Sequence, residues 1–286
     1  MDKHSILVQL DTDSLPSVFD RVVAVDAGMQ HIFSYGGVTP ENVVPLVQGC
    51  IFTRGPGDLK RTAIFVGGSD VLAGELLVQA IREAMNPFTV SLMLDSNGAN
   101  TTAAAAVLAA GKHLELSRTS SLVLGGTGPV GQRVARLLAK HGGQVRIGSR
   151  QKERAEAVAA AIRTDIPYAN IEAISTASRE DAPKALDGRE LVVAAGAAGA
   201  VLLPAKIRQN CGTLKVAIDL NGVPPAGIEG VDLTDKAKER DGMICYGALG
   251  VGGTKMKLHR LALQSLFERS DLVLDIEQIY ALAQKL

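Results

Sequence analysis

The 286-residue sequence lacks the marks of several specialised classes of protein. Its three cysteines (Cys50, Cys211 and Cys245) include no C-x-x-C pair, which is typical of a reducing compartment and argues against a zinc knuckle or a disulfide scaffold. No run approaches the roughly 20 apolar residues of a membrane span, and the N-terminal apolar run is too short for a signal peptide. We therefore expect a cytoplasmic protein.

The sequence also has no net charge and lacks the motifs of metal sites and of nucleophilic catalysis. Thirty basic residues balance thirty acidic ones, so neither nucleic acid nor a membrane is expected as a partner. The five histidines lack the spacing of metal ligands, so no metal site is predicted. No G-x-S-x-G nucleophile motif occurs. What is present is the composition of an average globular protein, in a chain long enough for two domains.

Short β-branched runs alternate with longer segments of helical character. The predicted strands are Ile6–Leu10, Cys50–Thr53, Thr62–Val66, Phe88–Leu94, Ser120–Leu124, Gln144–Ile147, Leu191–Ala194, Lys215–Asp219 and Met243–Cys245. Helices are predicted over Val71–Met85, with Ser69 as N-cap, and over the alanine-rich segment Asn100–His113. We predict an α/β fold with two parallel-sheet domains, residues 1–106 plus 254–286 and residues 107–253, the C-terminal helical segment returning to the first.

A glycine-rich motif opens the second predicted domain. It follows an apolar strand and precedes a predicted helix, which is the setting of the G-x-G-x-x-G dinucleotide-binding motif. There the glycines permit a tight turn, close approach of a pyrophosphate, and packing of helix on strand, and the phosphates lie at the positive helix end. A glycine turn without a ligand is the alternative. The predicted cofactor-binding residues of this Rossmann domain are Gly126, Thr127, Gly128, Pro129, Val130 and Gly131.

The end of the next predicted strand indicates which nucleotide binds. An NAD-binding chain usually carries a carboxylate there for the ribose 2′-hydroxyl, whereas this chain has Ser149 and Arg150, followed by Lys152 and Arg154. A hydroxyl and a guanidinium hold a 2′-phosphate by charge-assisted hydrogen bonds, so NADP is predicted. Alternatively, Ser149 caps the next helix and Arg150 is solvated. Further cofactor-binding candidates at strand ends, each of which could be an ordinary turn, are Ala195, Asp219, Asn221 and Leu249.

Polar clusters follow strands of the first predicted domain. Such residues are common in turns and caps, but their density here also suits a heterocycle with amide-like edges. The candidates are Asp13, Phe19, Asp20, Asp95, Ser96, Asn97, Asn100 and Thr102. In a third cluster, Thr254 is the predicted N-cap of a helix, and Lys255 and Lys257 fall in its first turn, where the macrodipole disfavours cations. They point to different sides, so one is expected in the site; His259 is expected to be structural.

Six stretches of the chain occur together in one family. They are Leu10–Asp13 with Pro16–Asp20, Tyr35–Pro40, Ile64–Gly68, Leu94–Gly98, Gly126–Gly131 and Tyr246–Gly250. Together they resemble the bacterial methylene-tetrahydromethanopterin dehydrogenases of one-carbon metabolism. The resemblance implies NAD(P)-dependent oxidation of the methylene carrier to the methenyl form, with tetrahydrofolate accepted by some relatives. It also implies that Lys255 binds a pterin carbonyl.

The resemblance also bears on the chemistry. Related folate dehydrogenase-cyclohydrolases use a Tyr-x-x-x-Lys motif, but here the residues four positions after the tyrosines are Thr39, Glu172, Gly250 and Gln284, so a dehydrogenase alone is expected. Hydride transfer needs no general base, so orientation is the main task. An acid near the pterin favours the developing cation, and Asp20 is the first candidate, Asp95 the second.

Other functions stay open at this point. A reductase of the shikimate dehydrogenase type should show a Lys–Asp pair in the first domain; within residues 1–106 of that domain, Lys60 is the only lysine after Lys3, and it has no clear partner. A nucleotide-sensing module would present a more apolar surface to a protein partner. The predicted partner is a pterin one-carbon carrier, and a homo-oligomer is expected.

Overall fold

Strands and helices alternate along the whole chain, as its pattern predicts. The computed structural model describes residues 3–178 and 180–286, so the first two residues of the predicted first domain lie outside it. The chain divides into two units: residues up to Thr101 together with Met256–Leu286, and Thr102–Lys255. The assignment of a pterin to the first domain and NADP to the second stays a prediction.

The described residues as far as Gly111 contain four strands and four α-helices. In chain order they are β1 (Ile6–Asp11), α1 (Val18–Asp26), β2 (His31–Tyr35), α2 (Val44–Phe52), β3 (Thr62–Gly67), α3 (Val71–Ala84), β4 (Ser91–Leu94) and α4 (Ala99–Gly111). A short 3-10 turn, Pro56–Arg61, precedes β3.

The described residues after Gly111 contain the remaining strands and α-helices. They are β5 (Ser120–Leu124), α5 (Pro129–Lys140), β6 (Gln144–Ser149), α6 (Lys152–Asp165), β7 (Asn170–Ser175), α7 (Asp181–Leu186), β8 (Leu191–Ala194), α8 (Ala205–Gln209), β9 (Val216–Asp219), β10 (Lys236–Arg240), β11 (Met243–Tyr246), α9 (Ala248–Ser265), β12 (Val273–Leu274) and α10 (Ile276–Ala283).

The first unit contains a parallel sheet in the order β12-β4-β3-β1-β2. Because β12 pairs with β4, the C-terminal segment returns to this unit, as predicted. Strand β3 is buried along its whole length, which is typical of a parallel sheet covered on both faces. One of those faces packs through Leu10, Ile64 and Leu92 against residues of α2 and α3.

The second unit contains a seven-stranded sheet in the order β10-β11-β9-β8-β5-β6-β7. All its neighbours are parallel except β10, which runs antiparallel to β11. Numbered from β5 and leaving out β10, the order from the β7 edge is 3-2-1-4-5-6, the order of the Rossmann fold. The predicted fold class is thus confirmed, and the strand order reverses between β5 and β8.

Three local predictions are wrong. Cys50 belongs to α2 rather than to a strand, because a short apolar run does not distinguish a buried helix from a strand. The N-cap of α3 is Asp70, whose side chain accepts from Leu72 N and Ala73 N, and not Ser69. The helix predicted to start at Thr254 begins at Ala248, so the argument from its first turn does not apply to the lysines.

Candidate cofactor and substrate sites

The turn between β5 and α5 is built from glycines. Gly125 has a φ of +67°, and a Cβ on it would lie 2.4 Å from Gly196 Cα, so the turns after β5 and β8 touch where the strand order reverses. Gly128 is the N-cap of α5, Pro129 lies in its first turn, and no side chain caps the helix. The first-turn N–H groups are therefore not blocked by a capping side chain, and such helix ends bind phosphate.

The three glycines of the motif have different surroundings. A Cβ on Gly126 would lie 2.7 Å from Ile147 Cγ2, and one on Gly131 would lie 2.5 Å from Gly125 O. The nearest atom to a Cβ on Gly128 is Gly125 O, at 3.4 Å. Glycine is thus required at the first and third positions by the protein's own packing, whereas at Gly128 the nearest protein atoms leave more room.

A cleft of about 940 Å³ lies at the carboxyl ends of β5, β6, β7 and β8, which is where open α/β sheets bind ligands. The predicted residues that line it are Thr127, Gly128, Pro129, Ser149, Arg150 and Ala195. Gly126, Val130 and Gly131 belong to the same loop and helix but do not line the cleft. No aspartate or glutamate is among the described residues of its lining. The cleft is large enough for a dinucleotide.

Two arginines lie at one end of this cleft. Arg150 follows β6 and Arg154 lies in the first turn of α6, and both residues line the cleft. Both are exposed, and neither forms an ion pair with a carboxylate within the described part of the chain. Ser149 is buried, and its Oγ accepts from Gln151 N at 3.2 Å. The helix N-cap is Gln151, so the alternative role of Ser149 as N-cap is wrong.

The sequence interpretation missed Thr176 and Ser178, which line the same cleft. They follow β7, and Thr176 N donates to Ser149 O at 2.9 Å. Asp181 accepts from Ser178 N, and its pKa is held below the usual range by hydrogen bonds from this loop. The β7 run was not recognised as a strand because it carries Glu172 and only two β-branched residues. The position of the third strand in a Rossmann sheet is the signal that would have found it.

Asp219 and Asn221 line a separate cavity of about 220 Å³ in the second unit, beside Gly247 and Ala248. Asp219 is buried, which raises the pKa of its carboxyl group, and backbone N–H groups oppose that shift. Its Oδ1 accepts from Asn221 N at 3.0 Å and its Oδ2 from Ile228 N at 2.9 Å. Asp219 therefore holds the loop after β9. Leu249 is 60% exposed and lines neither cavity.

In the first unit, the polar residues after β1 and β3 bind one another. Asp13 accepts from Ser69 through both oxygens, from the backbone N at 3.0 Å and from Oγ at 2.9 Å. The buried Asp11 accepts from Asp13 N and Ser17 N, each at 3.0 Å. Asp13 thus joins two loops at the carboxyl edge of the sheet, and its predicted contact with a substrate stays a prediction.

The turn after β4 is more deeply buried. Asp95 is 1% exposed, and it accepts from Thr101 N at 3.0 Å and from Thr101 Oγ1 at 2.6 Å. Ser96 Oγ donates to Gly67 O, and Asn100 Nδ2 donates to Leu94 O at 2.6 Å. Asp95, Ser96 and Asn100, all predicted to belong to the substrate site, thus stabilise the turn by hydrogen bonds within the protein.

Asn97 stands out in that turn because it is exposed and has a φ of +54°. The left-handed backbone of a non-glycine residue is uncommon and is held here by the surrounding bonds. Thr102, half-buried, follows in α4. Of the predicted residues from 95 to 100, Asn97 is the one whose side chain reaches solvent.

Helix α1 supplies Phe19 and Asp20. Phe19 is 50% exposed. Asp20 is half-buried, and its backbone N donates to the N-cap Ser17 Oγ at 3.2 Å. With Arg21 and His259, Asp20 lines a void that is too small to admit water. An acid in the first turn also favours the helix dipole, so a structural role alone accounts for Asp20 equally well.

The two lysines lie well inside α9. Lys255 is half-buried and Lys257 is exposed, as expected for residues two positions apart. A Cβ on Gly250 would lie 1.8 Å from Asp235 O. Gly250 therefore lets the helix pack closely on this segment, whereas a Cβ on Gly252 or Gly253 would meet no atom within 4 Å.

Neither alternative function gains support from these residues. Lys60 is exposed in the turn that precedes β3, at the amino end of the sheet and therefore away from the carboxyl edge where ligands bind. Within residues 3–178 and 180–286, no cluster of potential metal ligands occurs. The same residues include no helix that is long and apolar enough to span a membrane.

The strand order, glycine loop and cleft define a protein with a dinucleotide-binding Rossmann unit. Residues 18–97 match the model of the methylene-tetrahydromethanopterin dehydrogenase N-terminal domain. Two proteins of Methylorubrum extorquens match over 98% of both chains: bifunctional protein MdtA, 46% identical, and an NAD(P)-dependent methylenetetrahydromethanopterin dehydrogenase, 32% identical. The chain belongs to this methylene-tetrahydromethanopterin dehydrogenase family, and the protein is an oxidoreductase.

Solved structures of the same fold are more distant. Shikimate 5-dehydrogenase from Listeria monocytogenes, in complex with shikimate and NAD, has a TM-score of 0.54 at 12% identity, over 97% of this chain and 96% of that one. Quinate dehydrogenase from Corynebacterium glutamicum, in complex with NAD, has a TM-score of 0.53 at 13% identity, over 99% and 100%. At such identities the likeness concerns the fold alone.

Proposed function

We propose that this protein oxidises methylene-tetrahydromethanopterin to the methenyl form with NADP, and that it also accepts methylene-tetrahydrofolate. Family membership supports the reaction. The cleft supports the cofactor, because it is lined by two arginines and no described carboxylate. That observation carries the preference for NADP over NAD, since a 2′-phosphate requires cations and is repelled by an acid.

The residues of the cleft fit the parts of a dinucleotide. The backbone at Gly128 and the first turn of α5 would bind the pyrophosphate. Arg150 and Arg154 would bind the 2′-phosphate, with the Thr176–Ser178 loop beside it. At the carboxyl ends of β8 and β9, Ala195 and Asn221 would lie near the nicotinamide ribose.

Hydride transfer requires mainly that the protein orient the pterin and the nicotinamide relative to each other. A bound nicotinamide would supply the hydride acceptor, so that the hydrogen and both electrons of one C–H bond would leave the methylene carbon together. The two neighbouring nitrogens of the pterin stabilise the cation that remains, so no proton leaves the reacting carbon. Asp20 would favour that cation by its charge, and Lys255 would bind a ring carbonyl. Phe19 and Asn97 are exposed enough to contact the ring.

A panel of initial rates tests the proposal. Reduction of NADP and of NAD is measured with methylene-tetrahydromethanopterin, methylene-tetrahydrofolate and shikimate. We expect turnover with the two pterin carriers and a higher kcat/KM with NADP. Turnover of shikimate alone, or a preference for NAD, would contradict it. The cytoplasmic location and the homo-oligomeric state remain predictions; light scattering of the purified protein tests the latter.

A further inference from the structure

His259 is an imidazole in the interior of the first unit. It is 1% exposed and lies on α9, in the part of the helix that belongs to this unit. Its ring stacks on Phe65 of β3, with ring centroids 5.6 Å apart and an interplanar angle of 24°. Its Nδ1 lies 3.9 Å from Asp95 Oδ2. One face of the ring therefore packs on an aromatic side chain, and Nδ1 lies near a buried carboxylate, beyond hydrogen-bonding distance but within the range of an ion pair.

Asp95 is the residue on which the turn after β4 depends. Its two oxygens accept from the backbone N and the hydroxyl of Thr101, so the carboxylate joins the end of the strand to the first turn of α4. Between these two residues lies Asn97, with its exposed side chain and left-handed backbone. A displacement of the Asp95 carboxylate would move the one predicted pterin contact in this turn that reaches solvent.

We propose that His259 is a positioning residue for the pterin: through Nδ1 it holds the Asp95 carboxylate, and so fixes the turn that presents Asn97. The proposal rests on the proposed function, because it takes Asn97 to face the substrate. His259 itself touches no substrate in this account. It acts through Asp95 and the turn that carries Asn97. Its loss should therefore weaken the binding of the pterin and not that of NADP.

The surroundings of the ring favour this role over plain packing. The void beside it is lined by Gln9, Asp20 and Arg21 as well as by apolar residues. A residue needed only for volume would not require nitrogen atoms among an amide, a carboxylate and a guanidinium, and burying them has a cost that an apolar side chain avoids. Because Nδ1 lies 3.9 Å from Asp95 Oδ2, it can interact electrostatically with that carboxylate, which an apolar side chain could not do.

Three substitutions separate the role of the nitrogen from the role of the volume. His259→Asn places an amide nitrogen near the position of Nδ1, His259→Gln places one near Nε2, and His259→Phe keeps the ring without either nitrogen. Rates of NADP reduction are measured with methylene-tetrahydromethanopterin. We expect the KM for the pterin to stay within about threefold in His259→Asn and to rise about tenfold or more in the other two, because a small misplacement has large effects. The KM for NADP should not change.

A structural role would give another ranking. If His259 only fills space, the shorter Asn should be the poorest replacement and Phe the best, and that order would overturn the proposal. Equal KM values for the pterin in all variants would overturn it too. Leu266→Ala is the control: it removes a fully buried side chain directly after the last residue of α9, and it should lower the melting temperature without changing the KM for the pterin.

Hydrogen exchange makes the test independent of the proposed function. The Thr101 amide donates to Asp95, so its exchange should be faster in His259→Gln and His259→Phe than in wild type, and nearly unchanged in His259→Asn. If wild-type protein does not turn over the pterin, the proposed function fails while the exchange rates still judge the support of the turn. If wild type is active and Thr101 exchanges equally in all variants, the positioning role alone fails.

Discussion

Alanine at two glycines of the same motif should impair different properties: Gly131→Ala the stability of the fold, and Gly128→Ala the binding of NADP. A Cβ at position 131 would lie 2.5 Å from Gly125 O and 2.8 Å from Gly126 Cα. These are backbone atoms, which cannot turn aside, so Gly131→Ala forces α5 away from the loop. Overpacking of this kind costs about 1–3 kcal/mol, which in a chain of this size corresponds to a melting temperature lower by roughly 2–5 °C.

At position 128 the same methyl group has room in the protein. Its nearest neighbours would be Gly125 O at 3.4 Å and Ala195 O at 3.6 Å, so the stability of Gly128→Ala should stay close to that of wild type. The methyl group would instead keep the pyrophosphate from the backbone. Losing one or two charge-assisted hydrogen bonds of about 1.5–3 kcal/mol each weakens binding at least tenfold.

Differential scanning fluorimetry and titration calorimetry with NADP measure the two quantities on each variant. The expected pattern is a lower melting temperature for Gly131→Ala and a higher Kd for NADP, at nearly unchanged stability, for Gly128→Ala. Wild-type affinity in a stable Gly128→Ala protein would refute the idea that the pyrophosphate binds at this backbone. A strong loss of stability in that variant would instead show that the loop is more crowded than the distances indicate.

Further predictions concern charge and substrate. Arg150→Ala and Arg154→Ala should each raise the KM for NADP about tenfold or more and leave that for NAD nearly unchanged; Lys152→Ala is the matched control, because Lys152 is exposed, does not line the cleft and pairs with Glu156 at 3.5 Å. An equal effect of Arg150→Ala on both cofactors would count against the 2′-phosphate site. Lys255→Ala should reduce kcat/KM for the pterin on the order of a hundredfold, whereas Lys257→Ala should change it little; the reverse result would place the functional lysine on the other side of α9. Purified protein should form the methenyl carrier and stop, so enzyme-dependent formation of the formyl product would show a cyclohydrolase activity that the missing Tyr-x-x-x-Lys motif does not predict.

Local patterns carried most of what could be predicted of the fold. The strand Ser120–Leu124, the glycines after it and the helix to Lys140 follow one another within about twenty residues, and each constrains the next. The beginning of α9 could not be predicted in this way. Gly250, in its first turn, packs against Asp235 O, in a segment that the sequence alone does not bring close.

The candidate site was predicted as a set of residues and not as a set of contacts. Composition marked Asp13 and Asp95 as polar residues at strand ends, but their partners are Ser69, which lies 56 residues away, and Thr101 with His259. Only the folded unit brings Ser69 to Asp13 and His259 to Asp95, whereas Thr101 follows Asp95 by six residues. A polar residue that forms hydrogen bonds within the protein and one that binds a ligand have the same appearance in sequence. For this reason the sequence could not distinguish residues that stabilise the loops from residues that contact the substrate.

Transfer of label from the substrate tests the central claim most directly. Carrier with a dideuterated methylene carbon is incubated with the enzyme and NADP, and the NADPH is analysed by mass spectrometry and NMR. Direct hydride transfer without a general base predicts one deuterium at the nicotinamide C4 for each methenyl carrier formed, and none from D₂O when unlabelled carrier is used. Deuterium lost to solvent, or no reduction of NADP by the methylene carrier at all, would contradict the account.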